Sequence, residues 1–168
     1  VRTFVPRIIG QTSAAEQVKA PAASWHWDES SFLNALASRK SPAEEYVARC
    51  ILEWAHQQKL RILPGKGADG SLVPVLDYPP QSQQLFGIWT SGTIEFLFQY
   101  YRQPPFNTPS GKRELMERLN EIAGLDLTET HVSKRPNRPL ALFADDAKLS
   151  RLLEVYEWFI EQIRQNAQ

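Results

Sequence analysis

The sequence holds one cysteine, one methionine and no excess of either charge sign. A lone Cys50 excludes an internal disulfide framework and a cysteine-rich zinc site, so a reducing, cytoplasmic setting is the expectation. No apolar run approaches the roughly 18 to 20 residues that span a bilayer, and no membrane association is expected. Nineteen Lys and Arg balance nineteen Asp and Glu. That balance argues against a strong, sequence-independent hold on nucleic acid, which comes from neutralising phosphates, but is compatible with a local basic patch. His26, His56 and His131 are far apart and lack metal-ligand spacing, so neither a metal ion nor another cofactor is expected. The start, Val1-Arg2-Thr3-Phe4-Val5, has no initiating Met and no signal-peptide architecture. The expectation is a piece of a longer polypeptide, or a processed or trimmed start.

What is present is ordinary globular material: 168 residues, 42% hydrophobic and 23% charged, enough for one domain with a continuous core. Residues 1–24 read as an N-terminal extension, with a short edge strand at Thr3 to Ile9 interrupted by Pro6 and a linker rich in Ala, Ser and Gln from Gln11 to Ser24. That strand is either the remnant of a preceding domain or part of a tail. Residues 25–168 read as the main domain. Asp28 is an N-cap with Trp27 and Phe32 spaced as a hydrophobic staple, predicting a helix over Glu29 to Ser38. Ser41-Pro42-Ala43-Glu44 starts a second helix, whose stripe is Val47, Cys50, Ile51, Trp54 and Ala55. Thr108-Pro109 starts a third, ended by Gly124, and a fourth runs from about Asp146 to Gln165.

Between Leu60 and Tyr101 the period changes to that of strands, at Arg61 to Leu63, Ser71 to Asp77, Gln83 to Thr90 and Thr93 to Tyr101. Their links are too short for crossover helices. The fold class is therefore α+β, an antiparallel meander of three or four strands with flanking helices packed on one face. Taking Ser91-Gly92 as a two-residue hairpin loop sets Trp89 opposite Ile94, Gly87 opposite Phe96 and Leu85 opposite Phe98 on the apolar face. Phe86, Ile88 and Glu95 then fall on a mixed face open to solvent or a ligand.

One turn, Gly65-Lys66-Gly67-Ala68-Asp69-Gly70, spells G-x-G-x-x-G. Dinucleotide binding needs a helix after that run, to receive a pyrophosphate, and here Ser71 to Leu76 is another strand. The catalytic residues that accompany a protein-kinase glycine loop also have no counterparts. A mobile hairpin tip, with glycines chosen for positive φ, is the expectation, and Lys66 at that tip is a candidate for an anion. Asp77 and Glu95 are the carboxylates through which a divergent metal-dependent nuclease-like enzyme would hold a metal ion, although Glu95 lacks the Lys two residues on that such a core uses.

Three features favour binding. Lys134, Arg135 and Arg138 lie in a stretch stiffened by Pro136 and Pro139, so less ordering entropy opposes docking of an anion. Tyr100, Tyr101, Arg102 and Phe106 combine aromatics with a cation, as base stacking or a peptide requires. Trp158 faces outward on the last helix, where it suits a protein interface or a homodimer. Each has a structural alternative: cations that cap helices or pair with acids, aromatics that close the core, and a Trp packed under the N-terminal tail.

Trp27-Asp28 with Ser31-Phe32, Gly65-Lys66-Gly67 with Gly70-Ser71, Pro74 with Leu76-Asp77, Leu85-Phe86 with Trp89-Thr90, Pro104-Pro105-Phe106 and Arg135-Pro136 occur in an order that resembles an uncharacterised bacterial α+β domain family. The resemblance spans about Trp27 to Arg164. It implies domains that stand alone or accompany nuclease-like or other DNA-acting modules, and it implies no catalytic set. The expectation is a non-enzymatic binding or accessory module that recognises nucleic acid or a partner protein within a DNA-handling or defence-type protein. Lys66, Arg102, Lys134, Arg135 and Arg138 are its anion-facing residues, and Tyr101 and Trp158 its interface residues. The alternatives are the Asp77 and Glu95 enzyme and a structural oligomerisation domain.

Overall fold

The computed structural model describes residues 26–166. The expected strand at Thr3 to Ile9 and the linker at Gln11 to Ser24 lie outside the described residues. Local chemistry starts each helix as the sequence suggests. Asp28 caps α1 (Glu29–Arg39) by accepting from the Ser31 N–H at 2.7 Å, and Ser31 Oγ accepts from the Asp28 N–H in return. Ser41 caps α2 (Pro42–Gln57) with Pro42 in its first turn. The second helix ends where Lys59 adopts a left-handed backbone with φ of 61°, letting the Leu60 N–H reach the Ala55 carbonyl.

The sheet is antiparallel throughout and six-stranded: β1 (Arg61–Pro64), β2 (Ser71–Leu76), β3 (Gln83–Gln84), β4 (Phe86–Trp89), β5 (Thr93–Phe96) and β6 (Asn137–Pro139), in the order β1-β2-β4-β5-β6 with β3 also on β2. The class is α+β, with more strands than the meander alone supplies. The addition is β6, three residues between prolines, which returns from the far side of the third helix and pairs Arg138 with Ile94.

The hairpin register differs from the two-residue-loop expectation. Trp89 pairs with Thr93, Ile88 with Ile94 and Phe86 with Phe96, because the loop has three residues, Thr90, Ser91 and Gly92, the last at φ of 85°. A shift of one residue turns every side chain of β4 over. Phe86 and Ile88 are therefore fully buried beside Ile94 and Phe96, while Trp89 and Gly87 lie on the opposite face with Glu95. Trp89 is half-buried there and does not share the helix-covered face. A bulge accommodates the change: between Gln84↔Val75 and Ile88↔Leu72, the β3–β4 strand advances four residues while β2 advances three. Leu85 and Phe86, neighbours in sequence, both point inward and are both buried.

Helix α3 (Pro109–Leu119) stops earlier than Gly124, because Asn120 turns its side chain onto Leu127, donating to its carbonyl and accepting from its N–H, both at 2.8 Å. Helix α4 (Asp146–Asn166) buries Leu149, Leu152, Val155, Tyr156, Phe159, Ile160 and Ile163. Its rings join an aromatic chain in which Phe159 stacks on Phe106 at 4.2 Å, and Tyr156 lies 4.8 Å from Phe86. Each fully buried Phe contributes roughly 2 to 3 kcal/mol by area alone. Cys50 is half-buried beside the core, as expected for a small hydrophobe. Among the described residues no helix is long and apolar enough to cross a membrane.

Candidate binding cleft

The glycine loop joins β1 to β2 and is closed by Trp27. The indole N–H donates to the Gly67 carbonyl at 2.8 Å, and a Cβ on Gly70 would lie 2.6 Å from the indole ring. Gly65 is equally crowded, against the Ser71 hydroxyl. None of the three glycines has positive φ, and close approach is what selects Gly65 and Gly70, while a Cβ on Gly67 would make only ordinary contacts with the Asp69 backbone at 3.9 Å. Asp69 faces Arg39 at 3.7 Å, and Arg39 also donates to Thr90 Oγ1 at 2.9 Å. Lys66 is exposed on this loop.

A second loop, Tyr78 to Ser82, is fixed from beneath by two glutamines that are each only 1% exposed. Gln83 Oε1 accepts from the Arg102 N–H at 2.7 Å and the Gln103 N–H at 3.0 Å, while its Nε2 donates to the Gln84 and Tyr100 carbonyls. Gln103 Nε2 donates to the Tyr78 and Gln81 carbonyls. Buried amides are costly unless fully bonded, and here the bonding ties the loop to the backbone of residues 100–103. Between the two segments opens a cleft of about 390 Å³ lined by Ser82, Gln84, Tyr100 and Arg102. Ser82 is shared with a neighbouring depression of about 300 Å³ over Asp77 to Ser82.

Of the expected anion-facing residues, one lines this cleft and two lie near Tyr100 on its wall. Arg102 lines it. The Arg135 guanidinium lies 5.4 Å from the Tyr100 ring centroid and 3.9 Å from Glu95. The Lys134 carbonyl accepts from the Gln99 N–H at 3.0 Å, which places its exposed chain one residue from Tyr100. Burial first, then Arg138 and Lys134, push the His131 imidazole pKa down, and its Nδ1 accepts from the Thr128 N–H. Arg138 is turned inward instead, donating to the Leu125, Asn137 and Asp126 carbonyls at 2.6, 2.6 and 3.3 Å. Lys66 belongs to the other loop.

Tyr101 is not an interface residue. The chain leaves β5 for a 3-10 turn at Phe98–Tyr100, so strand alternation ends and Tyr101 swings into the core, 3% exposed. Its hydroxyl donates to the Leu85 carbonyl at 2.6 Å and lies 3.1 Å from the Tyr156 hydroxyl, and burial pushes its pKa up. Trp158 is half-buried, edge-on to Phe106 at 5.5 Å and covered by the Arg118 guanidinium 4.0 Å above its ring. Asp77 and Glu95 are held by different arginines. Arg61 binds Asp77 through two 2.8 Å hydrogen bonds and, with the Ser82 hydroxyl, holds the carboxyl pKa down at about 2. Among the described residues no three of His, Cys, Asp and Glu gather as metal ligands.

Gln83 and Gln103 escaped the sequence reading. A polar residue facing the core at Gln83 is a visible signal, but the bulge that sets its phase is not. Compared with protein families, with curated proteins and with solved structures, the chain finds no match.

Proposed function

We propose that this domain is a non-enzymatic binding module that takes nucleic acid at the Tyr100–Arg102 cleft, as an accessory part of a DNA-handling or defence-type protein. The observation that carries the reading is the state of Arg102. Among the described residues, Arg102 and Arg164 are the arginines whose guanidinium has no carboxylate, carbonyl or hydroxyl partner, and Arg102 is the one that lines a cleft. The Gln84 amide and Tyr100 hydroxyl on the same walls are also unpartnered. Donors left open on a wall whose backbone is held by a buried amide form a candidate anion site in which only side chains remain to be ordered on binding. The Asp77 and Glu95 alternative is less well supported, because each carboxylate already faces an arginine.

Fluorescence anisotropy with labelled DNA and RNA tests the reading. Affinity should fall as salt rises, and Arg102→Ala and Lys134→Ala should each weaken binding across all sequences and lower the salt slope by about one unit. Absence of binding to every nucleic acid at low salt overturns it. Capture of polyglutamate in place of nucleic acid would move the ligand to an acidic protein segment.

A further inference from the structure

We infer that the cleft receives one unstacked nucleotide, so that the ligand is a single strand, DNA or RNA, and not a duplex. The inference rests on the reading above and adds the form of the nucleic acid. A duplex keeps its bases stacked and presents convex backbone to a protein; its grooves are read by elements that project, such as a helix or a β-ribbon. Here the surface is concave, about 390 Å³, and the reading groups sit inside it. A base splayed out of a strand can enter such a cleft.

The lining supplies each part that a nucleotide needs. Tyr100 offers a half-buried ring that a base would share with, or take over from, the Arg135 guanidinium 5.4 Å from its centroid. Aromatic faces of this kind stack on any base. The Gln84 carboxamide carries both a donor and an acceptor, and no protein group uses either, so it can pair with a base edge. Arg102, at the same wall, and the exposed Lys134, beside Gln99, suit the flanking phosphates. Gln83 holds the carbonyl of Tyr100 and the N–H of Arg102 with one side chain, so the backbone that carries the ring and the cation is fixed.

The test compares a labelled oligothymidylate or oligouridylate with a hairpin duplex of the same charge and with inorganic polyphosphate, on the wild-type chain and on Tyr100→Leu, Gln84→Ala and Arg102→Ala. The single strands should bind about tenfold or more tightly than the duplex. Tyr100→Leu should cost about tenfold on the strands at an unchanged salt slope while leaving polyphosphate unaffected, whereas Arg102→Ala should weaken all three ligands. Should Tyr100→Leu fail to fold, Gln84→Ala supplies the same contrast from a strand position, with strand affinity reduced and polyphosphate unchanged. If duplex or polyphosphate binds as tightly as the strands, or if only Arg102→Ala has an effect, the single-strand inference fails and the anion cleft stands. If Arg102→Ala also changes nothing, the cleft reading falls with it.

Discussion

Two loops of this domain are built on opposite plans. The glycine loop between β1 and β2 is pinned from outside by Trp27, whose ring fills the space over Gly70 and whose N–H takes the Gly67 carbonyl. The loop from Tyr78 to Ser82 is pinned from inside by Gln103, whose amide donates to the Tyr78 and Gln81 carbonyls from the core side, while Gln83 holds the Gln103 N–H beneath it. Clamping from outside takes the Gly67 carbonyl and covers Gly70 while leaving Lys66 exposed, and clamping from inside leaves the outer surface open. The loop with the familiar phosphate-binding spacing is therefore the closed one, and the loop without a motif borders the cleft.

Breaking the inner clamp should have the largest effect. Gln83→Ala strips the Arg102 and Gln103 N–H groups of their acceptor in a buried setting, and should cost about 3 kcal/mol in chemical denaturation. If it costs no more than a surface change, the inner clamp is not what shapes the cleft. Next comes the outer clamp: Gly70→Ala sets a methyl against the indole and should cost about 2 kcal/mol. Its effect should shrink in a Trp27→Ala background, because the two changes remove one contact. Additive costs would separate Gly70 from Trp27. Trp27→Phe keeps a ring but loses the bond to Gly67 and should cost about 1 kcal/mol in the same assay.

The smallest effect concerns Asp77, in the depression beside the cleft, in acid. Asp77 has a folded pKa of about 2, below its ordinary 3.8, so its ion pair stabilises the fold above the ordinary value and that contribution fades as pH falls toward 2. The carboxylate and Arg61 are each about half exposed, so solvent screening limits the contribution to less than about 1 kcal/mol. Asp77→Asn should flatten stability against pH between about 4 and 2. An unchanged acid limb would remove Asp77 from it.

Helix starts were legible because capping is a matter of three or four adjacent residues, as at Asp28 with Ser31, Ser41 with Glu44 and Thr108 with Gly111. The hairpin register was not, because Gly92 takes positive φ in a two-residue and a three-residue loop alike, and the two differ at Ser91, which only the shorter loop would need at positive φ. Strand β6 is too short to show a period and gains its place from β5. The candidate site was half legible. Arg102, Lys134 and Arg135 stand out as cations near aromatics or prolines, and the pairing that turns Arg138 inward onto the Leu125 carbonyl is decided across the fold. Trp27 and Gly67 are forty residues apart, a distance at which local patterns are silent.

The extra residue at Leu85 acts as a phase shifter between two jobs performed by one strand. Upstream of it, the alternation is set so that Gln83 faces in and Gln84 faces the cleft; downstream, it is reset so that Phe86 and Ile88 meet the helices. A strand without the insertion would tie the two halves to one rhythm, and any change that moved the cleft would move the core as well. With it, the half that borders the cleft can vary in sequence while the packing half stays fixed.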